Sequence, residues 1–277
     1  MSRIVNLIIQ DQLVRREMPQ ANDELLPGVC WGDPWRLFTP AYWLAQAWMA
    51  QADTKVANKY RAKDGIVNEL VFCLLGGFGI TAELATAAFE RCKVAGLSDR
   101  TETSVDAWTT ELQKPFEVNR KLVKYRYPNQ KARYLSEAMV YVKQHAFNLH
   151  SGRSLRDQLL EIQGVGYKTA SWVARNVLDT DDVAILDIHL VRAGQLCGLF
   201  SLKSDVQRNY LDMESRFLEF SEKLQIRPAI LDCLIWDEMR VAGSLPIRLL
   251  NERASRDNSD SARHKPRHAN TQLRLSI

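Results

Sequence analysis

Apolar positions recur at three- and four-residue spacing along most of the chain, and cap or turn residues punctuate them. Thr39-Pro40 sets a cap and a first-turn proline before an apolar run over 41–49. Asp64 opens a segment over 65–75 that stops at Gly76-Gly77, and Thr81 opens another over 82–94 closed by Gly96. Ser104 precedes a short helix through Leu112. Pro128 begins a long amphipathic run in which Tyr134, Ala138, Tyr141 and Val142 share a face. Ser154-Leu155-Arg156-Asp157 has the spacing of a capping box, with Asp in place of Glu, and predicts a helix ending near Ile162. Further helices are predicted from about Tyr167 to Leu178, from Asp187 to Cys197-Gly198, from Ser204 and from Pro228. No segment alternates for long, so little or no sheet is expected and the predicted fold class is all-α. The first ~35 residues are ambiguous: residues 4–9 fit either a strand or a helix, and Trp31-Gly32-Asp33-Pro34-Trp35 reads as a loop that packs aromatics.

Composition narrows the class. The chain has 277 residues, 46 % of them hydrophobic, which is enough to bury a sizeable core. Its start lacks an apolar leader and no stretch is long and apolar enough to span a bilayer, so a cytoplasmic chain with no membrane partner is expected. The five cysteines are scattered and never spaced CxxC, which argues against a disulfide framework, a zinc site or an iron–sulfur cluster and for buried free thiols. Net charge is +4, and residues 251–277 account for most of it, with six Arg and Lys against three acids. This end reads as a basic, flexible tail whose role is either a weak contact to phosphates or none. The first 250 residues are close to neutral, so any binding of nucleic acid there must rest on local geometry.

One stretch offers that geometry. Gln163-Gly164-Val165-Gly166-Tyr167-Lys168 lies between two predicted helices, and Leu186-Asp187-Ile188-His189 follows. The glycines let the chain turn sharply with exposed N–H groups, and the next helix presents its positive N-terminal end. Such a hairpin suits one phosphate without reading a base. It is equally the pattern of an ordinary helical turn that uses glycine for positive φ. The spacing of Leu160, Ile162, Gly164, Val165, Gly166, Lys168 and Ala170, then Asp187 and His189, resembles the helix–hairpin–helix superfamily of base-excision DNA glycosylases. That superfamily includes endonuclease III and 8-oxoguanine DNA glycosylase. The nineteen positions from Lys168 to Asp187 are similar to the 8-oxoguanine branch, and residues 128–134 look like the helix that precedes the family's hairpin. The likeness runs from about Asp64 to Gly198.

The resemblance implies a two-lobed helical fold with a cleft between lobes. Residues 1–250 would form the core, with a central lobe over about 60–185 and a second lobe from 1–59 and 186–250. It implies an enzyme that flips a base out of double-stranded DNA and acts on it as a monomer. Lys168 would attack the sugar carbon C1′ as a neutral amine, which partial burial and the positive end of its helix favour. Asp187 would stabilise the positive charge that develops on the sugar, and the resulting Schiff base would lead to strand cleavage. Gly164, Val165, Gly166 and Tyr167 would hold a phosphate, His189 would flank the sugar-phosphate backbone, and the carbonyls of Leu160, Ile162 and Val165 would hold K+ or Na+. Simpler readings stand beside these: Lys168 as a surface lysine at a helix start, where cations are disfavoured, Asp187 as an N-cap, and His189 as a packed histidine.

Three departures limit what carries over. The segment in the position of the family's gap-filling loop is Gly76-Gly77-Phe78-Gly79-Ile80, so Phe78 is either an apolar wedge or a core anchor. Four residues after Lys168, where the resembled enzyme has a small side chain, stands Trp172, which either stacks on the flipped base or fills the core. The N-terminus looks too short for the sheet lobe of the eukaryotic enzymes, and no iron–sulfur ligands follow the catalytic region. The tryptophans at 31, 35, 43, 48 and 236 line the base pocket or pack in the core. The implied substrate is an oxidised purine such as 8-oxoguanine. A rival is a hypermodified base of phage DNA, such as glucosylated hydroxymethylcytosine, removed in antiviral defence. A third reading is a non-catalytic DNA-binding hairpin.

Overall fold

A computed structural model describes residues 2–50, 61–62, 64–77 and 79–263, the side chains of 257–263 excepted. Phe78 and residues 264–277 lie outside the described residues, so the wedge expectation falls outside them too.

The stretch before Thr39 is built of hairpins. Strand β1 (Ser2–Ile9) pairs antiparallel with β2 (Gln12–Pro19), with Leu7 opposite Val14 and Ile8 opposite Leu13. Gln10 and Asp11 turn the chain with φ of 49° and 59°, the backbone a two-residue hairpin loop requires. A smaller pair, β3 (Glu24–Leu26) and β4 (Val29–Cys30), follows. Residues 4–9 are therefore strand, which settles the ambiguity there, and the sheet among the described residues stays limited to two-stranded hairpins, as the expectation of little sheet has it. The alternation is real, with Val5 and Leu7 buried between exposed neighbours, but Ile4 and Ile8 are apolar on the outer face and mask its period of two. A third hairpin, β5 (Phe116–Val118) with β6 (Lys121–Val123), turns at Asn119 and Arg120.

Helices make up most of the rest: α1 (Pro40–Met49), α2 (Gly65–Leu75), α3 (Ala82–Val94), α4 (Val105–Gln113), α5 (Pro128–Gln144), α6 (Gly152–Leu159), α7 (Tyr167–Leu178), α8 (Ile188–Cys197), α9 (Tyr210–Leu224), α10 (Pro228–Val241) and α11 (Leu245–Arg263). Their starts follow the cap signals: the Thr39, Thr81 and Ser104 hydroxyls accept from the N–H groups of Tyr42, Leu84 and Ala107. Two starts differ from expectation. Ser151, not Ser154, caps α6, and α9 begins at Tyr210 because residues 205–208 form a turn. The flexible tail expected from Asn251 is helical as far as Arg263, where α11 ends, and Arg253 donates to the carbonyls of Gln195 and Leu196 at the end of α8.

The apolar side chains gather in two large clusters. One joins α2 through α7 with the β5–β6 hairpin, around Leu70, Trp108, Leu112, Leu135, Met139 and Val173. The other joins the N-terminal hairpins and α1 to α8, α9 and α10, around Trp43, Leu190, Phe217, Phe220 and Leu231. Val183 belongs to the first and Ala184 to the second. Buried ion pairs run between the two. Arg156 on α6 bonds Glu214 on α9, and Arg175 on α7 reaches both oxygens of Asp232 on α10 at 2.5 and 2.7 Å. No described helix is long and apolar enough to cross a membrane.

Candidate active site

The hairpin forms where α6 hands over to α7. Its two glycines serve different ends. Gly164 has φ +86°, and a Cβ there would lie 2.4 Å from the Tyr134 ring on α5, so both backbone and packing demand glycine. Gly166 has φ −102°, and a Cβ there would meet nothing within 4 Å. Glycine at 166 therefore leaves open space in front of the unpaired N–H groups that begin α7. Val165 donates its N–H to the Ile162 carbonyl at 3.1 Å, closing the turn. The ring of Tyr167 stacks on Tyr210 at 5.1 Å and 17°, and the residue lines the cleft.

Lys168 follows in the first turn of α7 and is half-buried. It lines a cleft of about 1120 Å3 together with Asp187, Trp172 and His189. Asp187 caps α8: its Oδ1 accepts from the N–H groups of His189 and Leu190, both at 2.9 Å. Among the described residues Oδ2 makes no hydrogen bond, so the cap reading and the cleft reading of Asp187 hold together. His189 meets the Trp236 ring edge to face at 6.1 Å. Its pKa is lowered, first by burial and then by Arg192, Lys168 and Arg240, against the pull of Asp187. Trp172 packs on Phe72 of α2 at 5.8 Å, and its ring borders Gly76, where a Cβ would come 3.4 Å from it. Its indole Nε1 is buried without a hydrogen-bond partner.

A lysine and a carboxylate nineteen positions apart thus share one cleft beside the open Gly166. A sequence profile of Ogg-HhH, described as 8-oxoguanine DNA glycosylase, matches residues 50–226. The chain belongs to the 8-oxoguanine DNA glycosylase family. It is 33 % identical over 178 residues to an 8-oxoguanine DNA glycosylase/AP lyase of Thermoplasma volcanium, covering 63 % of this chain and 79 % of that one. The enzyme of the same description from Metallosphaera sedula is 34 % identical over 116 residues, 40 % of this chain and 57 % of its own length. Against that second relative the chain spans little more than half the length. Solved structures of the Thermotoga maritima and Methanocaldococcus jannaschii 8-oxoguanine DNA glycosylases align with TM-scores of 0.47 and 0.49. They are 23 % and 25 % identical to the chain, and each alignment covers 82 % of the solved chain and 66 % or 67 % of this one.

Lys168, Asp187, Gly166 and Tyr167, singled out by sequence, line one cleft of this DNA glycosylase, but the floor of that cleft was not foreseen. Arg175, Asp232 and Cys233 line it as well. Arg175 also donates to Asn176, Asn176 donates to Glu69, and Glu69 accepts from the Ala62 N–H, so the floor is a buried polar network. Burial beside Asp232 pushes the Cys233 thiol up to about 12. The signal for Arg175 was present as helical spacing, since 168, 172 and 175 share a face of α7. Asp232 and Trp236 are likewise one turn apart on α10, beyond the matched residues 50–226. Of the tryptophans, Trp31 and Trp43 are core, Trp48 packs against that core, Trp35 is 75 % exposed, and Trp236 lines the cleft.

Proposed function

We propose that the chain excises 8-oxoguanine from double-stranded DNA and then cuts the strand as an AP lyase, with Lys168 as nucleophile and Asp187 as electrostatic stabiliser. The observation that carries this is Lys168 and Asp187 on the wall of one cleft, with the open Gly166 at its edge. A DNA-binding hairpin has no use for such a pair. The N–H groups of Gly166 and Tyr167, where α7 starts, hold a phosphate, with Gly164 and Val165 shaping the turn, and the base swings into the cleft. The neutral Lys168 Nζ attacks C1′. The glycosidic bond breaks with its electron pair going to the base, which takes up a proton. The Asp187 carboxylate, with Oδ2 not engaged in the cap, lowers the energy of the positive charge on the sugar. Ring opening gives a Schiff base, loss of a C2′ proton expels the 3′ phosphate, and water frees the lysine. Main-chain oxygens of Leu160, Ile162 and Val165 are the hard donors that Na+ or K+ takes, and a cation there would add positive charge beside the bound phosphate.

The floor favours a guanine-type base over a cytosine-derived one. An ionised carboxylate accepts and does not donate. The N1–H and 2-amino group of a guanine-type base form a row of donors that suits the second lone pairs of the Asp232 oxygens, whose first are taken by Arg175. A cytosine-derived base places the N3 acceptor beside its amino group, and a carboxylate repels that atom. Trp172 and Trp236 offer ring faces or edges to a flat base. In a panel of duplexes, 8-oxoguanine should be released and the enzyme trapped covalently by borohydride, with trapping lost in Lys168→Gln. Release of a glucosylated hydroxymethylcytosine with 8-oxoguanine left intact would sink the proposal.

A further inference from the structure

The glycine segment that walls the cleft is held from behind by a lysine with no part in the bond-making above. Lys131 sits in the first turn of α5, where the helix dipole disfavours a cation. Its Nζ instead serves another helix, donating to the carbonyls of Leu74 and Gly76, the latter at 2.8 Å. Between them the Tyr125 hydroxyl donates to the Leu75 carbonyl at 2.5 Å. Three successive carbonyls at the end of α2, which a helix C-terminus leaves unpaired, are thus taken by two side chains. The chain then runs through Gly76, against Trp172, and Gly77, whose Cβ position lies 3.6 Å from the Lys131 Nζ, into the cleft wall. The end of α2 carries negative partial charge, which repels DNA phosphates, and the ammonium offsets it.

We propose that Lys131 is a positioning residue for excision, its charge clamping the turn from Leu74 to Gly77 so that the cleft wall and Trp172 hold the base in line with Lys168. This rests on the excision reading given above. Among the described residues no carboxylate pairs with Lys131. The charged group that reaches it is Lys168 on α7, with Asp187 and His189 across the cleft on α8 and Arg126 lying against Gly79. Burial, and then Lys168, push the Lys131 amine down to about 8, so the clamping charge is lost as pH rises through that value. Bound phosphates favour the charged form, which places the effect in the free enzyme and in kcat/KM.

The test compares wild type, Lys131→Arg and Lys131→Met on a duplex bearing 8-oxoguanine from pH 6.5 to 9.5. It adds hydrogen exchange of peptides covering Leu74 to Gly77 without DNA. Wild-type kcat/KM should fall above pH of about 8. Lys131→Arg, whose guanidinium stays charged, should remain within about threefold of wild type at neutral pH and lose the alkaline fall. Lys131→Met should lose about tenfold or more at neutral pH, and the Leu74 to Gly77 amides should exchange about tenfold faster in it but not in Lys131→Arg. An alkaline fall that persists in Lys131→Arg, or unchanged exchange in Lys131→Met, would overturn the proposal. If wild type neither releases 8-oxoguanine nor is trapped, the excision reading fails instead, and the exchange data still decide whether Lys131 clamps the wall. Should Lys131→Met fail to fold, the pH profile of Lys131→Arg decides alone.

Discussion

Asp187 divides two tasks between two oxygens. Oδ1 caps α8, and in the proposed reaction the second oxygen, which makes no hydrogen bond among the described residues, supplies the charge. Asparagine caps helices as well as aspartate does. Asp187→Asn should therefore melt within a few degrees of wild type yet lose about 100-fold or more in excision rate. Asp187→Ala should lose the cap as well, about 1 kcal/mol, visible in a thermal melt. An excision rate in Asp187→Asn equal to that of wild type would mean that only the cap matters. His189 titrates beside it. Its folded pKa is depressed, so its stabilising contribution is present above the unfolded value of about 6.5 and is lost as pH falls through the folded one. The melting temperature should drop between pH 7 and 5, and His189→Asn should flatten that part of the curve.

At the scale of the element, the hairpin makes its two glycines experimentally separable. Gly164→Ala meets both positive φ and the Tyr134 ring, and should cost about 2 kcal/mol or more of stability. Gly166→Ala places a methyl in open space in front of α7. It should leave the melt nearly unchanged while weakening DNA binding about tenfold, measured by fluorescence anisotropy at fixed salt. If Gly166→Ala binds as wild type does, the phosphate sits elsewhere. Caps and stop signals made most helices legible, because a helix start is decided within four residues. The β1–β2 hairpin was less legible because Ile4 and Ile8 give its outer face the same apolar character as its inner one. The shift of the α6 cap to Ser151 reflects two serines three residues apart that compete for one role, and they hydrogen-bond to each other at 2.6 Å.

Across the whole molecule, two apolar clusters meet through charges. Glu214 on α9 accepts from Arg156, from the Ala184 N–H at 3.0 Å and from Ser171 at 3.4 Å, so it ties α6 and α7 to the second cluster at the point where the chain passes between them. Removing one partner of a buried pair leaves the other uncompensated. Glu214→Leu should cost about 3–5 kcal/mol, while replacing both residues, Arg156→Met with Glu214→Leu, should recover much of it. Thermal melts of the two single variants and the double variant give the coupling, and additive losses would show that the pair does not act as a unit.

The sequence alone determined the parts of this protein that depend on near neighbours. These are most of the helix boundaries, the glycine hairpin, and the lysine and aspartate that each sit at the start of a helix. Their spacing also pointed to the family. Tertiary structure decided which distant residues share the cleft with them. Arg175 and Asp232 are 57 positions apart, and Lys131 serves carbonyls 55 and 57 positions away. A buried charge must find a partner, but burial follows from packing of whole elements, and no local pattern states which partner it will be.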